Sequence, residues 1–400
     1  MRVSSSAIIF RSRLFWAAFF SVITALHIGF ILSRPASYLG PDGGEYYQLA
    51  LAMWKSSAWL THPIHAYWPP LWSLSLGAVF ALAGPSLLVG RLFLLLCLIV
   101  TTIGIWRLSA DIIGETAARW GALLFYASWN TFRFTGYLQY EIFLSMLTTL
   151  AMLATWLSLK SPSPRSRALI GAGFLWGLAG LTSPKILVLV PLVAFLFLKR
   201  WKGFSALLRW VYFVVGSGVP IAVWAIRNYV AFGKLILVSA NGGVNFYIGN
   251  NPLATGGFIH PSKLGVPLPY DASSEWFRAG LEYIAKNPLE AFERYALRIV
   301  KFCNPHYAFE YPFYVLFLGG VMLAARQVTG TARLGLMLIF LFLAAFTIVQ
   351  AAFFVDFRFR IPLEPLIYSL AAYAALFCVS RLTTKPPAPA HKSRPEPEAN

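Results

Sequence analysis

Acidic side chains are what this sequence has least of. Asp and Glu together number 15 in 400 residues, against 33 Lys and Arg, which leaves a formal charge of +18. Charged residues of both signs make up 12%, about half the ~25% of a soluble domain. That deficit excludes an ordinary water-soluble fold, because 58% of the residues are hydrophobic and fall in repeated apolar runs about 20 long. The positive excess does not point to nucleic acid. Basic residues form no single basic domain and recur in small clusters between apolar runs, the positive-inside pattern of a polytopic helical membrane protein. Cysteine is nearly absent. Cys97, Cys303 and Cys378 lie far apart, which excludes a disulfide framework or zinc site and leaves them as packing residues. No internal repeat is evident, so the inverted-repeat mark of many transporters is missing as well.

What is there can be ordered by charge. Arg2, Arg11 and Arg13 place the N-terminus in the cytoplasm, and residues 14–32 form an apolar run too long for a signal-peptide core, so they are expected to be a retained first span. Residues 69–84 are apolar but lie between prolines and are short for a crossing of about 20 residues. The basic clusters at 160–167 and 199–209 both fall in the cytoplasm only if 69–84 does not cross. That stretch is therefore expected to be a juxtamembrane or re-entrant helix. Further spans are expected at 86–106, 119–137, 142–159, 168–183, 185–198, 210–227, 310–325, 334–354 and 362–380. The fold class is thus an all-α polytopic membrane protein of about ten spans, with both termini inside. One transmembrane domain covers 1–384, with outer loops at about 33–85 and 228–308. The larger loop has a turn-rich stretch at 241–251 and an amphipathic helix around 274–304. The tail at 385–400, rich in Pro, Lys and Glu, reads as disordered and cytoplasmic.

Against so few carboxylates, each outer one calls for a reason. Asp42 lies in GPDGG, where Pro and Gly make a turn before a helical pattern begins at Glu45. Asp42 can be a helix N-cap, or a carboxylate held at the membrane surface as a base or metal ligand. Glu141 follows GYLQY at the outer end of a span. Lys185 lies between two short spans, Arg227 at the mouth of the large loop, and Arg358 and Arg360 before the final span. Ionisable groups at membrane depth are expensive and are functional candidates. Guanidinium forks grip phosphate, and a carboxylate can activate a hydroxyl. Each basic residue has an alternative as a headgroup anchor. His62 and His65, three apart, form at most a weak metal motif.

Five stretches, in order, carry a family resemblance: GPDGGEYYQLALAM, YWPPLWSLSLGAVFALAGPSLLVGRL, GFLWGLAGLTSPKILVLVPL, RNYVAFGKLILVSANGGVNFYIGNNPLATG and DFRFRIPLEPLIYSLAAY. Together they resemble the glycosyltransferase-C superfamily, in its bacterial branch related to protein O-mannosyltransferases and aminoarabinose lipid A transferases. The resemblance implies the fold of that superfamily, with juxtamembrane helices in the first outer loop, and a bacterial inner membrane with the active site facing outward. It implies inverting transfer of a sugar from a polyprenyl-phosphate donor to a lipid, glycan or protein acceptor. Asp42 takes the family's first-loop acidic position, as base or to position the acceptor nucleophile, with Glu45 as a further catalytic candidate. Glu141 takes the second, supporting Asp42 or sharing a divalent metal ion with it. Lys185, Arg227, Arg358 and Arg360 become candidates for the donor phosphate. Many relatives have adjacent Asp-Glu in that loop, where this chain has Asp42-Gly-Gly-Glu45; three residues along a helix bring Glu45 near the same face. The absence of an extra outer domain after the last span favours a lipid or small acceptor. Two other readings stay open on the residues alone: a transporter or flippase of lipid-linked sugar, and a non-catalytic subunit of an envelope glycan assembly complex.

Overall fold

The computed structural model describes residues 13–55, 64–266 and 273–383. The tail at 385–400, His62, Arg2 and Arg11 lie outside them. The described chain is all α-helical apart from short 3-10 turns. In order the helices are α1 (Arg13–Leu32), α2 (Gly43–Lys55), α3 (Ile64–Tyr67), α4 (Pro70–Ala83), α5 (Leu87–Ile113), α6 (Glu115–Tyr126), α7 (Trp129–Gly136), α8 (Glu141–Lys160), α9 (Ser166–Thr182), α10 (Leu189–Leu192), α11 (Ala194–Arg200), α12 (Gly203–Phe232), α13 (Gly242–Gly249), α14 (Ser273–Lys286), α15 (Pro288–Cys303), α16 (Tyr311–Gln327), α17 (Ala332–Ala351) and α18 (Glu364–Thr383). Seven helical segments among the described residues are long and apolar enough to cross a membrane. The other three expected spans are shorter or broken. Ser128 separates α6 from α7, α9 has 17 residues, and 184–200 is a 3-10 turn followed by α10 and α11. Pro184 and Pro191 account for that last break, since each lacks a backbone N–H for the helical ladder.

Burial separates centre from periphery. The apolar windows of α8, of 357–383 and of α5 are 72%, 61% and 56% buried, whereas those of α1 and α16 are 17% buried. The first three form the core of the bundle, and the others expose their apolar sides, as lipid-facing spans do. Close approach of backbones holds the bundle together. A Cβ on Gly173 of α9 would lie 1.9 Å from the Phe213 carbonyl oxygen of α12, and one on Gly216 of α12 would lie 2.1 Å from that of Ile170. Only glycine permits this contact, the small-residue packing characteristic of membrane helices.

The expected non-crossing helix is α4. Its 14 residues reach about 21 Å at 1.5 Å per residue, well short of a ~30 Å hydrocarbon core. It packs between α2 and α5 with Trp72, Leu76 and Phe80 fully buried. Two loop expectations need correction. The 241–251 stretch, read as turns, forms α13, because Val244 and Ile248 are fully buried and tertiary packing overrides glycine's poor helix propensity. The amphipathic helix expected around 274–304 is two helices, α14 and α15, separated at Asn287–Pro288, with the proline at the first position of α15.

A single buried guanidinium shapes the first loop. Arg91 of α5, 4% exposed, donates to the carbonyls of Gly136 (2.9 Å), Arg34 (3.0 Å), Pro35 (2.9 Å) and Tyr38 (2.9 Å). It thereby ties the chain after α1 to the end of α7. The Leu138 N–H donates to Leu39 O (3.1 Å), and the Trp72 indole donates to Leu138 O (3.3 Å). These bonds bring the Asp42 turn beside the residues just before α8.

Candidate active site

Asp42 opens α2. Its carbonyl accepts the Tyr46 N–H (3.2 Å), as an N-cap residue's does. Its carboxylate is engaged elsewhere: Oδ2 is 2.6 Å from Nη1 of Arg358, 316 residues later. Arg358 sits on the 3-10 turn Phe357–Leu363 just before α18, and that turn is capped by Asp356, whose side chain accepts the Arg358 N–H (3.1 Å). The same guanidinium lies 3.8 Å from Glu141 Oε1 through Nη1 and 3.8 Å from Asp356 Oδ2 through Nε. One cation thus faces three carboxylates drawn from three distant stretches.

Gln139 completes this arrangement. With its amide turned so that both its groups are satisfied, its oxygen accepts from the Asp42 N–H (3.1 Å) and from Arg358 Nη1 (2.7 Å). The approach is so close that a Cβ on Gly40, at φ +80°, would lie 2.9 Å from Gln139 Cδ and from the Tyr137 ring. The glycine of the GPDGG turn is therefore required both by its backbone angle and by its neighbours. Glu141 is fully buried at the first position of α8, where the helix dipole favours negative charge. Neither of its carboxylate oxygens has a hydrogen-bond partner among the described residues. A buried carboxylate left this way is costly.

Asp42, Glu45, Lys185 and Arg358 line one cavity of about 1400 Å³. Its walls come from the first loop (Tyr46, Trp68), from Tyr140, from α13 (Asn245, Ile248) and from the end of α17 and beyond (Phe353, Phe359). Lys185, on the Pro184–Val188 turn, donates to Gln350 Oε1 (2.9 Å) and sits 4.8 and 4.9 Å from the ring centres of Phe353 and Phe359. Burial pushes the phenol of Tyr46 well up, and burial followed by the Glu141 charge does the same for Tyr140. Both phenols therefore stay protonated and can donate to a ligand in the cavity.

The structure does not bring the remaining predicted residues to this cavity. Arg227 stays on α12, with Nη1 donating to Asn228 Oδ1 (2.8 Å) and its guanidinium over Trp224 and Phe232 (4.6 and 5.0 Å). Arg360, 2% exposed, points into a second cluster. It donates to Asn304 O (2.5 Å) and pairs with Glu310 (3.1 Å), and the Asn130 amide bridges Glu310 (2.9 Å) and Glu364 (2.6 Å). Sequence reasoning missed Arg91, Gln139, Glu310 and Glu364. The scarcity of acidic residues that singles out Asp42 applies equally to Glu310 and Glu364, and was the available signal for them.

The proposed shared metal does not fit this geometry. Among the described residues no group of three or more His, Cys, Asp or Glu is placed to hold an ion. Between Asp42 and Glu141 stands the Arg358 guanidinium, within 4 Å of both, so the cation these carboxylates share is an arginine.

Residues 67–226 match the sequence model of the family described as dolichyl-phosphate-mannose-protein mannosyltransferase. The matched stretch runs from the end of α3 into α12 and includes Glu141 and Lys185, while Asp42 and Arg358 lie outside it. The likeness to that family is thereby shown over those residues. No curated protein matches the chain.

Proposed function

We propose that this protein transfers a sugar from a polyprenyl-phosphate donor to an acceptor hydroxyl, with inversion, in the cavity beneath its large loop. The acceptor oxygen attacks the anomeric carbon, the bond from that carbon to the phosphate oxygen breaks, and the lipid phosphate departs with the electron pair. Asp42, a quarter exposed at the cavity edge, takes the hydroxyl proton. Lys185 and the unshared donors of Arg358 offset the charge that grows on the leaving phosphate, the electrostatic stabilisation that usually contributes most. Glu141 stays behind Arg358 and orients it. Tyr46 and Tyr140 supply neutral hydroxyls to the sugar. The reading places this cavity on the outside of a bacterial inner membrane.

The observation that carries the reading is the convergence of Asp42, Lys185 and Arg358 on one cavity, to which the family match contributes Trp68, Tyr140 and Lys185. The test is release of free polyprenyl phosphate from a panel of polyprenyl-phosphate sugars, with a membrane extract as acceptor source. Asp42→Asn keeps the shape of the side chain and removes the base, so release should fall by about 10²–10⁴. Equal release by both forms would move the base elsewhere. Net movement of intact lipid-linked sugar without cleavage would replace the transferase with a flippase.

A further inference from the structure

The large loop contains a helix that buries an arginine and leaves an apolar stripe bare. The inner side of α15 buries a charge, Arg298, beside Ala291 and Phe302. Arg298, 1% exposed, donates to Ala351 O (2.6 Å), to Gly249 O and to Asn250 Oδ1 (3.1 Å). On the flank facing residues 251–255, Arg294 donates to Asn251 O (2.7 Å) and Lys301 to Thr255 O (2.7 Å). The outward side carries an apolar stripe, with the exposed Glu293 at its edge. Leu289, Phe292 and Val300 are 80%, 69% and 64% exposed, and with the exposed Ala296 and Cys303 they recur at i, i+3, i+7, i+11 and i+14, one stripe of a helix. A helix bathed in water places its charges outward and its apolar stripe inward.

The depth of α15 is fixed by α17. The Tyr295 hydroxyl donates to Ile348 O (2.9 Å), and the Phe302 ring meets Phe346 (centroids 6.4 Å apart). Phe346 lies five residues before Ala351, the end of α17, which is roughly 7–8 Å at 1.5 Å per residue. That is the depth, about 5–10 Å, to which an interfacial helix sinks its apolar face. Ile348 is itself 54% exposed, so the stripe continues the bare surface of a membrane span.

We propose that α15 docks on the lipid surface of the leaflet at the loop face, its apolar stripe in the headgroup–acyl boundary. Through Arg298 the seated helix holds the Gly249–Asn250 end of α13, whose Asn245 and Ile248 form part of the cavity wall. The bilayer thereby fixes the height of that wall. The inference stands independently of the reaction the cavity performs.

The experiment uses the full chain in nanodiscs of phosphatidylcholine and phosphatidylglycerol, with Cys303 and Cys378 replaced by Ala and nitroxide labels at Phe292→Cys, Val300→Cys and Arg278→Cys. Cys97, 1% exposed, is left in place because its burial keeps it unlabelled. Arg278 of α14, with 82% of its side chain exposed, is the aqueous control. Labels at 292 and 300 should collide more with dissolved oxygen than with a water-soluble nickel chelate, and the label at 278 should show the reverse. Nickel access at 292 and 300 equal to that at 278 would overturn the proposal. Shielding from both reagents would overturn it too, because a protein, such as a second copy, would then cover the stripe.

Discussion

Arg358 and Arg360 stand two residues apart on one 3-10 turn and belong to different chemistries. Arg358 faces a large cavity and shares its charge among Asp42, Glu141 and Asp356, two of them beyond hydrogen-bond distance at 3.8 Å. Arg360 turns away from the cavity into a buried network of Glu310, Asn130 and Glu364 and two backbone carbonyls. In that network Glu310 is nearly saturated. One oxygen accepts from Asn130, and the other accepts the backbone N–H groups of His306 (2.7 Å) and Tyr307 (3.2 Å) as well as Arg360. The cavity cluster instead leaves both oxygens of Glu141 without a hydrogen bond. The Arg360 network has loose ends of its own, at Arg360 Nε, Asn130 Oδ1 and Glu364 Oε2, but its Arg360–Glu310 pair is held by several bonds, and such a buried pair is strongly destabilising to break. An unsaturated one beside a cavity is poised for a ligand.

The comparison can be broken at both ends. Arg358→Gln, combined with Glu141→Gln so that the fully buried carboxylate is not left unpaired while Asp42 and Asp356 keep partial solvent exposure, should reduce sugar transfer by about 10²–10³ with little change in melting temperature. A double mutant with near-normal turnover would remove Arg358 from the reaction. Arg360→Met should do the opposite. Breaking a buried pair costs about 3–5 kcal/mol, so the melting temperature should drop while the surviving protein keeps its donor KM. A raised donor KM with intact stability would transfer the phosphate role to Arg360.

Two smaller effects sharpen the contrast. Lys185→Met removes a cavity cation but leaves the Asp42–Arg358 pair, so apparent donor affinity should weaken by about 10- to 100-fold, the worth of one charged hydrogen bond, as read by titration with the polyprenyl-phosphate sugar. Arg227→Gln lies off the cavity lining. Donor affinity should therefore stay within about 0.5 kcal/mol of wild type, the usual range for a change away from the site, and a large loss of donor binding would show that the cavity extends to α12.

Much of the fold was legible from composition and charge. Long apolar runs, basic clusters and a parity argument gave the helical membrane class and singled out 69–84 as too short to cross, and α4 has that length. The broken spans were harder. The split of α6 from α7 at Ser128 and the segmented 184–200 depend on where local breakers meet packing, which hydropathy averages away. At 241–251 glycine and asparagine read as turns, yet burial of Val244 and Ile248 made a helix. Loop propensity is weak beside apolar burial worth about 1.5–3 kcal/mol per large side chain.

By itself, the sequence determined what this protein can be made of: helices in a bilayer, because too little charge is available for a water-facing surface. It also determined which carboxylates were worth attention, because so few exist. Only the tertiary structure decided how the candidates divide. A 3-10 turn rotates successive residues by about 120°, so Arg358 and Arg360 point to different neighbours, one to Asp42 and the cavity, the other to Glu310 and the interior. Nothing in the string DFRFR distinguishes them. The neighbours that do are up to 316 positions away, and folding alone brings them there.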